Sequence, residues 1–269
     1  MKLVAGVTSL KQAQCLIPMG ADEIYCAMSS IHSHRAPSEG FRDAGELKEL
    51  AGLCARSKKP LYLAVNEIYE EKGYPAILEK TARFISDGGT GLIIRDLGLA
   101  AFLRGNGFNS PLILSTLGFC FNTEALKFYS RQGFSRITLP QLLTAAEAGG
   151  LMKNIGKLET EVMYSPADHC VNLNGACSLH DAPRMKSALK LAACNCALRF
   201  STAGGPFRFP ALSGAERYGS LEKFYELGAG YLKVPRSSDL NLTKRIVSEA
   251  LEFLDEMRDK KDRKRRKAA

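Results

Sequence analysis

Tryptophan is absent from the 269 residues, and histidine occurs only 4 times. The first absence excludes nothing. The second, with His32 and His34 together in one polar loop, leaves no Ser/His or Cys/His triad that can be read from the chain. No H-E-x-x-H is present, which excludes a zincin, and no G-x-G-x-x-G follows the first strand-like run, which argues against a dinucleotide site. Long apolar runs are missing too: none approaches the ~20 residues that cross a bilayer. The opening Met1-Lys2-Leu3-Val4-Ala5-Gly6-Val7 passes directly into a helix-like segment containing Lys11 and Gln14. It lacks the apolar stretch and small-residue cleavage site of a signal peptide, so a soluble, cytoplasmic chain is expected.

Acidic residues are in deficit, 28 against 37 basic, giving a net charge of +9. Arg258 to Lys267 hold eight basic and two acidic side chains, so this short stretch supplies +6 of the +9. The body therefore offers no broad basic face that the sequence alone identifies. Residues 258–269 read as a solvated, disordered tail, with RNA or an anionic membrane surface as the alternative contact.

What is present is regular. Short apolar runs alternate with helical stretches: Leu3–Val7, Glu23–Ala27, Leu61–Asn66, Gly91–Asp96, Leu112–Thr116, Arg136–Leu139, Thr160–Tyr164 and Tyr231–Val234. These runs are continuous rather than alternating, as in strands covered on both faces, and the intervening helices require parallel βαβ units. Seven or eight such units predict an α/β fold and favour a TIM-like (β/α) barrel occupying residues 1–257 over an open doubly wound sheet. The alternation breaks at about 165–210, a Cys-rich insertion after the seventh strand. Loops following barrel strands gather at the face that carries active sites, so the insertion belongs to the site or covers it.

Eight cysteines stand at 15, 26, 54, 120, 170, 177, 194 and 196, half of them within 27 residues. In a reducing compartment such clustering favours metal or redox chemistry over disulfides. Cys170, Cys177, Cys194 and Cys196 are four thiols that suit an iron–sulfur cluster, with a structural zinc as the alternative. Neither pair has the C-x₂-C spacing of a zinc knuckle. The Cys194-Asn195-Cys196 pair needs a tight turn for both to bind, so Cys26 or Cys120, each following a strand, stands as an alternative fourth ligand. Cys15 and Cys54 occupy apolar helix positions and read as core.

Several short motifs, in order, resemble the collagenase-like peptidase family U32. Ala21-Asp22-Glu23-Ile24-Tyr25 is similar to its GADEIY strand, Val65-Asn66 to its VN, and Arg95-Asp96-Leu97-Gly98 to its xDLG. His34-Arg35 with Phe41 and Leu47, Ser115-Thr116 with Asn122, and Cys170-x₆-Cys177 with Gly175 resemble further signatures. The family's RELS and KIEGR are replaced here by Leu139-Pro140-Gln141-Leu142-Leu143 and Lys233-Val234-Pro235-Arg236-Ser237. These departures bring the chain nearer to the short ubiquinone-biosynthesis branch than to the RNA branch.

The resemblance implies a barrel whose Cys loop binds a 4Fe-4S cluster, in support of oxygen-independent hydroxylation of an aromatic substrate, a quinone precursor or a nucleobase. A second similar subunit is also implied. Arg35, Asn66, Arg95, Ser115 and Thr116 become candidates for substrate binding, the arginines through bidentate contact with a carboxylate. Asp96 and His169 become candidates for proton transfer. The structural alternatives are plain: Asp96 as a helix cap, Ser115 and Thr116 as partners of loop amides, His169 as a neighbour of Cys170. A peptidase and a non-catalytic cluster-carrying subunit stand as alternative functions.

Overall fold

The computed structural model describes residues 1–34, 37–164, 200–202, 204–207 and 214–268. The first seven strands are β1 (Lys2–Gly6), β2 (Glu23–Cys26), β3 (Leu61–Val65), β4 (Gly91–Ile94), β5 (Leu112–Leu114), β6 (Arg136–Thr138) and β7 (Glu159–Met163). A short antiparallel pair follows, β8 (Phe200–Thr202) and β9 (Gly205–Phe207), and then β10 (Tyr231–Val234). Strands β1 to β7 and β10 form a closed parallel barrel, because β1 pairs with both β2 and β10. The expected TIM-like architecture is thus the observed one.

Side-chain parity explains the continuous apolar runs. Leu3, Ala5, Ile24, Leu61, Leu63, Leu92, Ile94, Leu112, Leu114 and Leu232 join the large core beneath the helices. The intervening Val4, Tyr25, Tyr62, Ala64, Ile93, Ile113 and Tyr231 form a second, smaller cluster, which fills the barrel interior as alternation requires. Cys54 is buried in the large core, as expected, and Cys15 is half-buried.

The outer helices are α1 (Leu10–Met19), α2 (Ala44–Arg56), α3 (Tyr74–Ser86), α4 (Leu97–Gly105), α5 (Thr123–Arg131), α6 (Ala145–Lys153), α7 (Gly214–Glu226) and α8 (Leu240–Ala268). Short polar side chains set where they begin. Ser9, Asp43, Asp96 and Asn122 each accept a hydrogen bond from a first-turn amide. Thr144 and Glu147 form a reciprocal capping box, which sets the start of α6 at Ala145.

One expectation is corrected. The basic segment does not leave the fold as a disordered tail, because α8 runs unbroken to Ala268. Lys and Arg are good helix formers, and opposite charges meet the cations. Lys260 Nζ lies 3.0 Å from Glu222 and 3.4 Å from Glu256, and Lys264 Nζ lies 2.9 Å from Glu226. Burial lowers the pKa of the Met1 ammonium, and Arg258 and Lys261 lower it further, which places this basic end beside the N-terminal end of β1, opposite the mouth.

Candidate functional site at the barrel mouth

The C-terminal ends of the strands define the mouth, and four connecting segments bring charged groups to one side of it. Glu67, following β3, is the hub. Arg95, following β4, places a guanidinium nitrogen 3.0 Å from Glu67 Oε1, and His34 Nδ1 lies 3.8 Å from Glu67 Oε2. The His34 backbone N–H donates to Asn66 Oδ1 at 3.3 Å. Burial alone would raise the Glu67 carboxyl. Hydrogen bonds from His34 and the Ile68 amide and the charge on Arg95 hold it below the ordinary carboxylate range. The Arg95 side chain is 11% exposed.

Asp96 sits behind this group in the role of a cap and loop anchor. It is buried and accepts from the Leu99 amide, the Tyr69 amide and the Tyr74 hydroxyl. Ser115 Oγ accepts from the Leu117 amide, and Thr116 Oγ1 donates to the Leu139 carbonyl at 3.0 Å. Both hydroxyls therefore bond to backbone of the rim itself.

Arg236, following β10, is fully buried. Its backbone N–H donates to Tyr25 Oη, and its guanidinium donates to the Glu39 carbonyl at 2.8 Å. This packing requires Gly6: a Cβ there would lie 2.5 Å from Arg236 Cγ and 2.7 Å from Tyr25 Cζ. Gly6→Ala is expected to destabilise the fold by about 1–3 kcal/mol, the range for overpacking a filled site. A lowered urea midpoint would register it, and an unchanged midpoint would show that the close approach is easily relaxed.

Deeper in the barrel lies a charged group that the sequence motifs touch only at Glu23 and Lys233. Arg136 on β6 donates to both oxygens of Glu23 on β2, at 2.6 and 3.0 Å, and contacts Glu159 and Glu161 on β7 at 3.2 and 3.4 Å. Its guanidinium stacks 3.4 Å from the Tyr231 ring centroid. Lys233 on β10 bonds Glu161 at 2.8 Å and lies over the Tyr25 ring, while Thr138 donates to the same carboxylate at 2.7 Å. The fully buried members, two cations and the carboxylates of Glu23 and Glu161, balance in charge. The signal that could have found it is a charged residue at an inward-facing position of a strand.

Arg35, His169, Cys170, Cys177, Cys194 and Cys196 lie outside the described residues. Their segment begins just beyond β7, at the mouth, except for Arg35, which follows His34 in sequence. Among the described residues, no group of three or more His, Cys, Asp or Glu side chains is placed to hold a metal ion. Burial pushes the Cys26 thiol up to about 12 and that of Cys120 to about 11.

A (β/α)₈ barrel with an acid-bridged arginine at its mouth and a four-thiol insertion after the seventh strand is the class this architecture defines. The profile of the family described as Peptidase family U32 matches residues 8–265, and the chain belongs to that family. It is 25% identical over 178 residues to tRNA hydroxylation protein P of Haemophilus influenzae, covering 66% of this chain and 38% of that protein. The Escherichia coli protein of the same name is 23% identical over 178 residues, with 66% and 39% covered. The chain thus spans well under half the length of these curated relatives, which are named for tRNA hydroxylation rather than ubiquinone biosynthesis.

A solved U32 peptidase superposes with a TM-score of 0.60 at 12% identity, over 89% of this chain and 93% of that one. The tryptophan synthase α-subunit of Pyrococcus furiosus gives 0.52 at 13% identity, over 94% and 96%. At such identities these structures show the fold alone. No helix among the described residues is long and apolar enough to cross a membrane.

Proposed function

We propose that this chain is an iron–sulfur protein supporting oxygen-independent hydroxylation of an aromatic ring, and that the ring is a base in RNA. The observation that carries the reading is the likeness, across 66% of the chain, to relatives named for tRNA hydroxylation. Cys170, Cys177, Cys194 and Cys196 suit the group chemically, being four thiols on one segment that leaves the barrel at its mouth. A 4Fe-4S cluster held there supplies one-electron redox chemistry, tuned by burial and by hydrogen bonds to sulfur.

The chain's own groups bind and orient. Arg95, held by Glu67, receives an anionic group such as a carboxylate or phosphate, and Asn66 fixes the loop that carries His34. Arg35 lies next to His34 in sequence and adds a second cation for the same purpose. Ser115 and Thr116 shape the rim beside them. The Asp96 carboxylate is occupied by three donors, which leaves His169 to move protons. The same framework would serve a small aromatic quinone precursor, a peptide bond, or a second similar subunit to which this chain lends its cluster.

Nucleoside mass spectrometry discriminates these readings. RNA from an anaerobically grown host is expected to gain one oxygen atom on a base only when the intact chain is present. Unchanged nucleosides together with a hydroxylated aromatic acid would move the substrate to a quinone precursor. Unchanged nucleosides with cleaved peptide would restore the peptidase.

The exposed cations Lys261, Arg263, Arg265 and Arg266 give a second check on the RNA partner. Removing residues 261–269 should leave the barrel folded and reduce the salt dependence of RNA binding, by ~0.7 in log–log slope for each single-strand phosphate that the segment neutralises. An unchanged slope would show that α8 does not touch the RNA.

A further inference from the structure

Beside the mouth, the loop from Ser115 to Asn122 holds two phenylalanines in an arrangement that folding alone does not favour. Phe119 has φ 54° and ψ 51°, the left-handed region that a bulky aromatic residue rarely adopts. Phe121, two residues on, is 41% exposed. Their rings lie parallel, 5° apart in plane, with centroids separated by 5.9 Å.

The loop is held in this shape from several directions. The Ser115 side chain caps its first turn, and Thr116 ties it to the Leu139 carbonyl. The Tyr129 hydroxyl donates to the Gly118 carbonyl at 2.5 Å. Any Cβ on Gly118 would lie 2.6 Å from Leu114 Cδ1, so the loop backbone is pressed against the end of β5. Cys120 is buried between the two phenylalanines in sequence, and Asn122 anchors the far end as the cap of α5. A backbone held in this way places the exposed Phe121 beside Phe119, at the barrel end where Arg95 and Asn66 also lie. Ile68, after β3, and Leu142, after β6, are exposed on the same rim.

We propose that Phe121, backed by Phe119, is a stacking platform for the planar ring of the substrate at the mouth. The inference rests on the reading that the substrate presents an aromatic ring, and it adds the residue that receives it. Offset stacking on an aromatic side chain suits any base, because each presents a π-face, and truncating such a platform typically costs about tenfold in affinity. The shared chemistry is a flat ring, whether in RNA or in a free aromatic acid.

The absence of tryptophan makes the test direct. Phe121→Trp introduces the sole indole of the chain. Phe128→Trp, on the exposed surface of α5, serves as the control. Each is titrated with a short single-stranded oligoribonucleotide and, separately, with 4-hydroxybenzoate, and affinities are measured in parallel for the native chain, Phe121→Ala and Phe121→Tyr. Saturable quenching at position 121 but not 128, with about tenfold weaker binding by Phe121→Ala and near-native binding by Phe121→Tyr, is the expected result. Quenching by the aromatic acid alone supports the platform while moving the ring out of RNA.

Native affinity in Phe121→Ala, or equal quenching at both positions, overturns the platform and leaves the hydroxylation reading standing. Absence of binding by the native chain to either probe overturns the platform too. Loss of the hydroxylated product in the nucleoside assay, with stacking intact, would overturn only the function.

Discussion

Glu161→Ala should destabilise the protein by about 3–5 kcal/mol, the range for removing one partner from a buried ion pair. Glu161 is fully buried and receives Lys233, Thr138 and Arg136. Its removal leaves the Lys233 ammonium inside the barrel with, among the described residues, the Tyr25 ring as its remaining attractive neighbour, while Arg136 keeps Glu23. The unpaired charge therefore accounts for the loss more than the missing hydrogen bonds do. Replacing Lys233 together with Glu161 by apolar residues of similar volume should recover much of the stability, because no uncompensated charge then remains. Urea unfolding of the two variants checks this, and equal losses in both would contradict it.

The same carboxylate gives stability a pH dependence of known sign. Burial would raise the Glu161 carboxyl, but the charges of Lys233 and Arg136, with hydrogen bonds from Lys233 and Thr138, hold it below its ordinary value. A group with a lowered folded pKa stabilises the fold above its unfolded pKa. That contribution is lost as pH falls through the folded value. Acid unfolding should therefore be shallower in the double variant, which lacks the Glu161 contribution, than in the native chain.

Cys170→Ala and Cys177→Ala are expected to remove bound iron from protein purified without oxygen, since each would delete a thiolate from the proposed four-ligand site. Cys15→Ala and Cys54→Ala should retain it, because the first lies on α1 and the second within the core of α2. Cys194→Ser and Cys196→Ser separate the two thiols of the tight pair, and the severe variant identifies the ligand. Full iron in both signature variants would place the metal elsewhere.

The barrel is legible in the sequence because its signals are local and repeated. Eight apolar runs with helices between them admit few topologies, and Ser9, Asp43 and Asn122 mark helix starts that hydrogen bonding enforces. The interior charges are not legible, because Glu23, Arg136, Glu161 and Lys233 are separated by up to 210 residues and become partners only when the barrel closes. The Glu67 hub is hidden for the same reason: Asn66 and Arg95 stand in motifs, whereas the carboxylate that joins Arg95 to His34 stands in none. The basic stretch after Met257 misleads because its composition suggests self-repulsion, whereas Glu222 and Glu226 on a neighbouring helix supply the opposing charge. Phe119 and Phe121 give no sequence signal, since their strain is visible only in the backbone angle.

The four thiols after β7 are proposed to hold an iron–sulfur cluster. Anaerobic purification of the intact chain, followed by an ultraviolet–visible spectrum with iron, sulfide and zinc analysis, tests it most directly. A broad absorption band near ~400 nm with about four irons per chain is the predicted result. Stoichiometric zinc, no visible absorption and no acid-labile sulfide would contradict it.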